Sequence, residues 1–344
     1  MNQPLVRLIE ERLPPPNHPL HKAAFHHFST SGKQLRGLAA LDACKALQVA
    51  RKPASAWACS IELLHNASLI HDDLCDEDPL RRGHPTVWNR FGPGIALCLG
   101  DWLIASAFAS ISEDSVEPAK AGRLSAVLAR SVATMAAGQV LDVHRGSYPN
   151  WQQYRVLAAG KTAPLFSAPF EGAAILAGQE QALTGVNPFL ERVGVAYQIA
   201  NDINNFTRQK GKSSAGSDLL HRRPNAVVVC FRESLVNGTQ HQFDTWLASE
   251  DVKGATEWTE RIRQSDAILR AQERLGTEVQ DRDIPLDPAS QSLRRAVEPL
   301  RRYLLDRRAD IGKAPANGIS SGYHGTEKPT SWDGIMAAGP QPCL

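Results

Sequence analysis

Apolar residues recur at spacings of three and four positions almost throughout residues 35–247. This is the period of one face of an α-helix, whereas the alternating β-branched segments that indicate strands are scarce. Residues 226–231 form the one short run that could be a strand, and their helical surroundings favour a buried helix start instead. The sequence therefore predicts an all-α fold.

The composition limits the class of protein. Of the 344 residues, 42% are hydrophobic and 22% are charged, which allows a large core. A net charge of +2 gives no electrostatic reason to expect a nucleic-acid partner. The longest strongly apolar run, residues 226–231, is far below the roughly 20 residues of a membrane-spanning helix, so no integral membrane association is expected. The 6 cysteines include no Cys-x-x-Cys pair and indicate thiols in a reducing cytoplasm, where we expect the protein to reside.

The two ends of the chain differ in amino-acid composition from the middle. Residues 1–20 contain three consecutive prolines and predict a helix followed by an extended arm. Residues 21–313 are expected to form one helical domain. Beyond residue 313 the chain is rich in Gly, Ser, Pro and Asn, so residues 314–344 are expected to form a disordered tail.

One helix predicted before Pro79 carries two acidic residues on an otherwise apolar face. At about 100° of rotation per residue, His65, Asp72 and Asp76 share one side of this helix. Two carboxylates one turn apart repel each other unless a cation joins them. Oxygen ligands favour a hard ion such as Mg²⁺, which is often held by one or two carboxylates plus substrate phosphates. A solvated acidic helix end is the alternative interpretation.

Two arginines, Arg81 and Arg82, follow this acidic segment with no acidic side chains of their own to pair with. Guanidinium groups bind phosphate oxygens with two parallel hydrogen bonds. A magnesium site beside two such groups predicts a diphosphate clamp.

The segment HDDLCDEDPLRRG at residues 71–83 resembles the first aspartate-rich motif and the following Arg-Arg-Gly of the trans-isoprenyl diphosphate synthases. Five further segments resemble that family's landmarks in the expected order: GKQLR at 32–36, GDWL at 100–103, GQVLD at 138–142, GKT at 160–162 and YQI at 197–199. The resemblance implies a single-domain helical bundle around a central cavity. It also implies a Mg²⁺-dependent prenyltransferase that joins isopentenyl diphosphate to an allylic diphosphate, and a homodimer.

The resemblance also assigns roles to residues. It makes Asp72, Asp76 and Lys161 catalytic, with Asp72 and Asp76 as magnesium ligands and Asp202 as a weaker one. The residues assigned to the two diphosphates and the cavity wall are Lys33, Arg36, His65, Arg81, Arg82, Thr162, Gln198 and Lys212.

The second aspartate-rich motif departs from the family pattern, because residues 201–205 read NDINN. Asparagine occupies both positions expected to face the cavity, Asn201 and Asn205. Amide oxygens bind magnesium more weakly than carboxylates do. Three hypotheses stay open: chain elongation with a weakened second metal cluster, a class I terpene cyclase on the same fold, and a non-catalytic partner of a prenyltransferase.

Product length is expected to depend on side chains about one turn before Asp72. Ala67 and Ser68 are small there, which leaves room for a deep cavity. Trp102 or Phe108, on the following helix, could then close it. These residues favour geranylgeranyl diphosphate (C20) as the product.

Overall fold

The computed structural model describes residues 3–29, 32, 34–112, 116–143, 147–162, 164–207, 216–249, 252–280 and 286–311. The helices in these residues are α1 (Gln3–Glu10), α2 (His21–Ser29), α3 (Leu35–Ala46), α4 (Arg51–Cys75), α5 (Val87–Phe91), α6 (Pro93–Ser112), α7 (Pro118–Val143), α8 (Trp151–Thr162), α9 (Pro164–Ala177), α10 (Asn187–Thr207), α11 (Ser217–Leu220), α12 (Ala226–Ser234), α13 (Asn237–Ala248), α14 (Ala255–Gln264), α15 (Ala267–Glu278) and α16 (Pro288–Ile311). A 3₁₀ turn spans Glu180–Leu183, and β1 (Leu80–Arg81) pairs antiparallel with β2 (His84–Pro85). The predicted all-α fold is confirmed, and residues 226–231 are helical, as expected.

Helix α4 is the central helix of the bundle and packs against α3, α6 and α9. Its proline, Pro53, lies in the first turn, where the missing N–H has no helical partner to lose. After α4 ends, Glu77 adopts a φ of 52° and Gly83 a φ of 85°. These residues reverse the chain into the β1–β2 hairpin, which brings Arg81 back beside the end of α4.

Close packing on two sides fixes α4 in the bundle. Ser60 Oγ donates a hydrogen bond of 2.8 Å to the Ala107 carbonyl of α6. On the other side, Trp57 Nε1 donates to the Pro169 carbonyl of α9 over 3.1 Å. A Cβ added at Gly172 would lie 2.0 Å from the Trp57 ring, so α9 needs glycine at that position. The helix is therefore a rigid support for the polar side chains of its last turns.

Helix α6 is mostly apolar over its 20 residues and is long and apolar enough to cross a membrane by length and composition. No uninterrupted apolar run marks this helix in the sequence, because Gly94, Gly100 and Asp101 interrupt it. Its buried side packs against α4, and 39% of its most apolar window is buried. A helix in the core of a protein can have the same length and apolar composition, so these two properties assign no membrane span.

The N-terminal residues lie against the bundle. Helix α1 packs on α4, and the carbonyl of Arg12 accepts a hydrogen bond of 3.0 Å from Trp102 Nε1 of α6. The tail expected at residues 314–344 lies outside the described residues.

Candidate active site

A cavity of about 610 Å³ lies beside the C-terminal end of α4. His65, Asp72 and Asp76 line it from α4, Lys161 lines it from the end of α8, and Gln198 lines it from α10. The three side chains predicted to share one face of a helix thus line one cavity. Residues that are far apart in sequence complete its polar wall.

Asp72 is half-buried, and its pKa is raised to about 6. Loss of hydration is the largest cause; Lys161 lowers the pKa, and the nearby Asp76 carboxylate raises it. Near neutral pH the group is mostly ionised and faces a second carboxylate. This arrangement favours the binding of a further cation.

Asp76 is held by side chains from two other segments. Gln139 Nε2 of α7 donates to Asp76 Oδ1 over 3.2 Å. Arg223 Nη2 lies 3.4 Å from the same oxygen and also donates to the Asp76 carbonyl. Gly138 allows α7 to approach α8, because a Cβ there would lie 3.1 Å from Lys161 Cα. The sequence motifs did not assign Arg223 to the site.

Arg81 does have an acidic partner, so the expectation that it has none is wrong. Its Nε lies 2.9 and 2.8 Å from the two oxygens of Asp73, and its Nη2 lies 2.7 Å from Oδ1. Asp73 is rotated about 100° around α4 from Asp72, toward the side that the hairpin crosses. The carboxylate therefore fixes the Arg81 guanidinium at the cavity, which it also lines.

Arg36 of α3 and His65 of α4 form a second polar group in the cavity wall. Arg36 Nη1 donates to His65 Nε2 over 3.0 Å. Burial, and then the charge of Arg36, lower the pKa of His65 well below its usual value. The neutral ring, with Nε2 accepting, carries its proton on Nδ1.

Two donors of this pair lack partners. Within the described part of the chain, Arg36 Nε and His65 Nδ1 are buried and make no hydrogen bond. A buried donor left in this state costs about 1–3 kcal/mol. Two such donors at one cavity indicate an anion-binding site.

Arg82, which the resemblance assigns to diphosphate binding, also lines the cavity. Gly32 lies against it, since an added Cβ would be 2.8 Å from Arg82 Nη2. Lys33 and Lys212, the two other lysines assigned to diphosphate binding, lie outside the described residues.

Asp202 is buried, at 2% exposure, and does not line the cavity. Its oxygens accept hydrogen bonds from Tyr154 Oη at 2.7 Å, from Ala226 N at 2.7 Å and from Gln198 Nε2 at 2.8 Å. Gln198 in turn accepts from Thr162 Oγ1 over 3.2 Å. Burial, together with the nearby Asp218, raises the pKa of Asp202 to about 8 against these donors. The residue expected as a weaker metal ligand therefore connects α8, α10 and α12 in this structure.

The two asparagines of the second motif have different surroundings. Asn201 is exposed and lines the cavity. Asn205 donates its Nδ2 to Ser217 Oγ over 2.8 Å and accepts from Asp218 N over 3.4 Å. The expectation that both face the cavity is wrong for Asn205, because its amide is hydrogen-bonded to Ser217 and Asp218 of α11.

The expected determinants of cavity depth also differ from the structure. Ser68 lines the cavity, whereas Ala67 is fully buried in the core. Neither Trp102 nor Phe108 lines it. Trp102 packs against the His18 ring instead, at a centroid distance of 4.7 Å, because the N-terminal residues occupy that side of α6. The expectation that α6 closes the cavity is therefore wrong.

The carboxylates of the cavity fit a metal that binds together with substrate. Among the described residues, no group of three or more His, Cys, Asp and Glu side chains is arranged to hold a metal ion. Asp72 and Asp76 nevertheless line the cavity next to each other. Magnesium is often bound by two carboxylates when phosphate oxygens and water complete its shell. The donor set therefore fits Mg²⁺ bound jointly with a diphosphate.

Comparisons with known proteins identify the family. The polyprenyl synthetase family model matches residues 17–261. An all-trans-nonaprenyl-diphosphate synthase (geranyl-diphosphate specific) from Rhodobacter capsulatus is 31% identical over 275 residues, which are 71% of this chain and 81% of that protein. A geranylgeranyl pyrophosphate synthase from Geoglobus acetivorans is 31% identical over 245 residues, 68% of this chain and 74% of that protein.

The fold comparison agrees with the family match. The crystal structure of geranylgeranyl pyrophosphate synthetase from Pyrococcus horikoshii matches with a TM-score of 0.74 at 25% identity. The match covers 89% of this chain and 95% of that one. The chain therefore belongs to the polyprenyl synthetase family and is a trans-prenyltransferase, as its motifs indicated.

Proposed function

We propose that the protein condenses isopentenyl diphosphate head-to-tail with an allylic diphosphate, and that its main product is geranylgeranyl diphosphate. The observation that carries this proposal is the pair of unsatisfied donors, Arg36 Nε and His65 Nδ1, in the cavity that Asp72 and Asp76 also line. The cavity thus combines a carboxylate pair suited to a divalent cation with donors that bind an anion directly. A reaction that releases pyrophosphate from one substrate while the diphosphate of the other stays bound uses both.

The allylic diphosphate binds at the carboxylate pair. Asp72 and Asp76 would hold Mg²⁺ there, and the bound ion supplies charge neutralisation at the leaving diphosphate. Lys161 and Arg81 stabilise the negative charge that grows on that group as the carbon–oxygen bond breaks, because their charges are already in place. Lys212 has the same role in this proposal.

Isopentenyl diphosphate binds at the donor pair. Arg36 and His65 line the cavity and would bind its phosphate oxygens, and Arg82 and Lys33 would add positive charge. The Arg36 guanidinium lies 4.6 Å from the centroid of the Phe166 ring, which fixes its plane.

The cavity wall formed by the ends of α8 and α10 positions polar side chains and balances the charge of the acidic residues. Gln198 and Thr162 are hydrogen-bonded to each other beside Lys161 and shape this part of the binding surface. Arg223 provides a fixed positive charge next to Asp76, where the altered second motif supplies Asn201 in place of a carboxylate.

Relatives support the C20 product. Those from Geoglobus acetivorans and Pyrococcus horikoshii are named geranylgeranyl pyrophosphate synthases, whereas the Rhodobacter capsulatus relative is named for a longer chain. The small side chain of Ser68 at the cavity is compatible with products beyond C15.

The two alternative functions have less support. A terpene cyclase has no isopentenyl diphosphate to bind, so the free donors of Arg36 and His65 would serve no substrate. A non-catalytic partner would gain nothing from leaving these buried donors unsatisfied. Chain elongation uses both the Asp72–Asp76 carboxylate pair and the free donors of Arg36 and His65.

One incubation series tests the function. Purified protein with MgCl₂ is given isopentenyl diphosphate and, in separate reactions, the C5, C10, C15 or C20 allylic diphosphate. Products are extracted before and after phosphatase treatment and analysed by gas or liquid chromatography with mass detection. Elongation gives longer prenyl alcohols after phosphatase treatment only. Hydrocarbons released without phosphatase would indicate a cyclase, and no turnover under any condition would contradict the proposal.

We further propose a cytoplasmic homodimer that associates through α6. Leu97 is 50% exposed on this apolar helix, and Cys98, Ala105 and Ala109 are exposed on it as well. A second copy of the chain would bury this surface. Analytical ultracentrifugation should give a dimer that Leu97→Glu weakens, and a wild-type monomer at micromolar concentration would contradict this interface.

A further inference from the structure

Helix α1 contributes an apolar face to the cavity. Val6 and Ile9 line the cavity and are spaced i and i+3, so they share one face of α1, and Leu13, just after the helix, lines the cavity beside them. Glu10 lies at the edge of this face and is exposed. None of these residues belongs to a motif that resembles the family's landmarks.

The opposite face of α1 borders a different hollow. Leu5 and Leu8 line a separate groove of about 530 Å³ between α1, α3 and α4. Helix α1 therefore borders space on both sides, and its Leu5 and Ile9 also belong to the hydrophobic core, at 1% and 4% exposure. Val6 and Leu13 are only partly buried at the cavity, so a change of side-chain size there disturbs the core less than one at Ile9.

Hydrogen bonds hold the residues that follow α1 in place. The Arg12 carbonyl accepts from Trp102 Nε1 at 3.0 Å and from Ser106 Oγ at 3.2 Å. The Pro14 carbonyl accepts from His21 Nδ1 at 2.8 Å. Leu13 lies between these two anchored residues, so its backbone is held in place beside the cavity.

We infer that Ile9 of α1 and Leu13, which follows this helix, limit the length of the prenyl chain that the cavity accepts. The inference rests on the proposed function and names the residues that set its specificity. These apolar residues supply surface for a hydrocarbon tail, and the bulk of the two side chains ends the space available to it. The residues on α6 expected to do this do not reach the cavity.

Product analysis of Ile9 and Leu13 variants tests this inference. Leu13→Ala and Ile9→Ala should raise the ratio of C25 to C20 product by about tenfold, because each truncation opens apolar volume for further isoprene carbons. Leu13→Phe should shift the product toward C15. The matched control is Leu8→Ala, which truncates the same residue type within the same N-terminal segment but faces the other groove.

A second measurement separates this inference from the proposed function. The dissociation constants of C15, C20 and C25 diphosphates with MgCl₂ are measured by calorimetry without isopentenyl diphosphate. Leu13→Ala should improve the relative affinity for the C25 diphosphate, and Leu8→Ala should not. If the wild type binds prenyl diphosphates but forms no product, the proposed function fails while this binding test still applies. Unchanged product ratios and unchanged relative affinities in folded Leu13 and Ile9 variants would overturn the inference.

Discussion

The end of α4 and the end of α10 both contribute to the cavity, but they use their acidic residues differently. On α4, Asp72 and Asp76 line the cavity. On α10, Asp202 is buried in a hydrogen-bond network, and Asn201 is the residue of the second motif that lines the cavity. The comparison teaches that the number of acids in a motif does not give the number of metal ligands. Rotation around the helix decides which of them can reach a cation.

The pKa values of the acidic residues at the ends of these two helices also differ. The pKa of Asp72 is raised to about 6, so this carboxylate is mostly ionised near neutral pH. The pKa of Asp202 is raised to about 8, so most of this group is protonated at the same pH. Arg223, beside Asp76 and 4.0 Å from Asp218, adds positive charge between the two walls. We therefore expect metal binding to depend on α4 far more than on α10.

The largest effect should come from Asp72→Ala. Loss of this carboxylate removes half of the carboxylate pair, and we expect magnesium-dependent turnover to fall by about 10³-fold or more. Steady-state kinetics across a MgCl₂ series measures this effect. Glu257→Ala, at an exposed position on α14, is the control. Retained activity in Asp72→Ala would mean that the metal binds elsewhere.

Arg223→Gln should have the next largest effect. We expect the KM for the allylic diphosphate to rise about tenfold, because a cation near the leaving group is lost. Magnesium should bind more tightly in the same variant, because Asp76 loses its ion-pair partner. Steady-state kinetics measures the change in KM, and calorimetry with MgCl₂ measures the change in magnesium affinity.

The neighbouring Arg222→Gln is the control for this variant. The Arg222 guanidinium lies 3.6 Å from the centroid of the Trp246 ring and does not line the cavity. Arg222→Gln should therefore lower the melting temperature without the change in magnesium affinity. Equal kinetic effects of the two variants would remove Arg223 from the site.

A smaller effect should distinguish the two asparagines of the second motif. Asn201→Asp places a carboxylate at the cavity and should raise magnesium affinity by roughly threefold to tenfold. Asn205→Asp makes the same chemical change where the side chain contacts Ser217 and Asp218, so magnesium affinity should stay unchanged. Calorimetry with MgCl₂ and a non-reactive diphosphate analogue compares them. An equal gain in both variants would contradict the different orientations described above.

The smallest effect concerns the pH dependence of stability. Because the folded pKa of Asp202 is about 8 and the unfolded value is about 3.9, the folded state binds more protons between these pH values. This group therefore makes the free energy of unfolding fall as pH rises from about 4 to 8. Asp202→Asn should show a smaller fall between pH 5.5 and 8.5 in urea titrations. Identical pH slopes in variant and wild type would show that Asp202 is already ionised when folded.

Local patterns were sufficient for the fold class and for much of the α4 wall. Helical periodicity predicted the all-α bundle, and the spacing of His65, Asp72 and Asp76 predicted their shared face, because both depend on rotation within one helix. The same reasoning missed the Asp73–Arg81 pair, since the hairpin that returns Arg81 to α4 depends on backbone reversals at Glu77 and Gly83.

Contacts between segments that are far apart in the sequence could be identified only from the tertiary structure. Sequence determined that the chain is helical, that it carries a carboxylate pair with following arginines, and that its second motif has lost acids. Tertiary packing decided that Arg223 lies at Asp76, 147 positions away, and that Asp202 is enclosed by Tyr154 and Ala226. It also decided that α1, and not α6, borders the cavity. Helical periodicity specifies which side chains share a face, but which helix covers that face depends on packing across the whole chain.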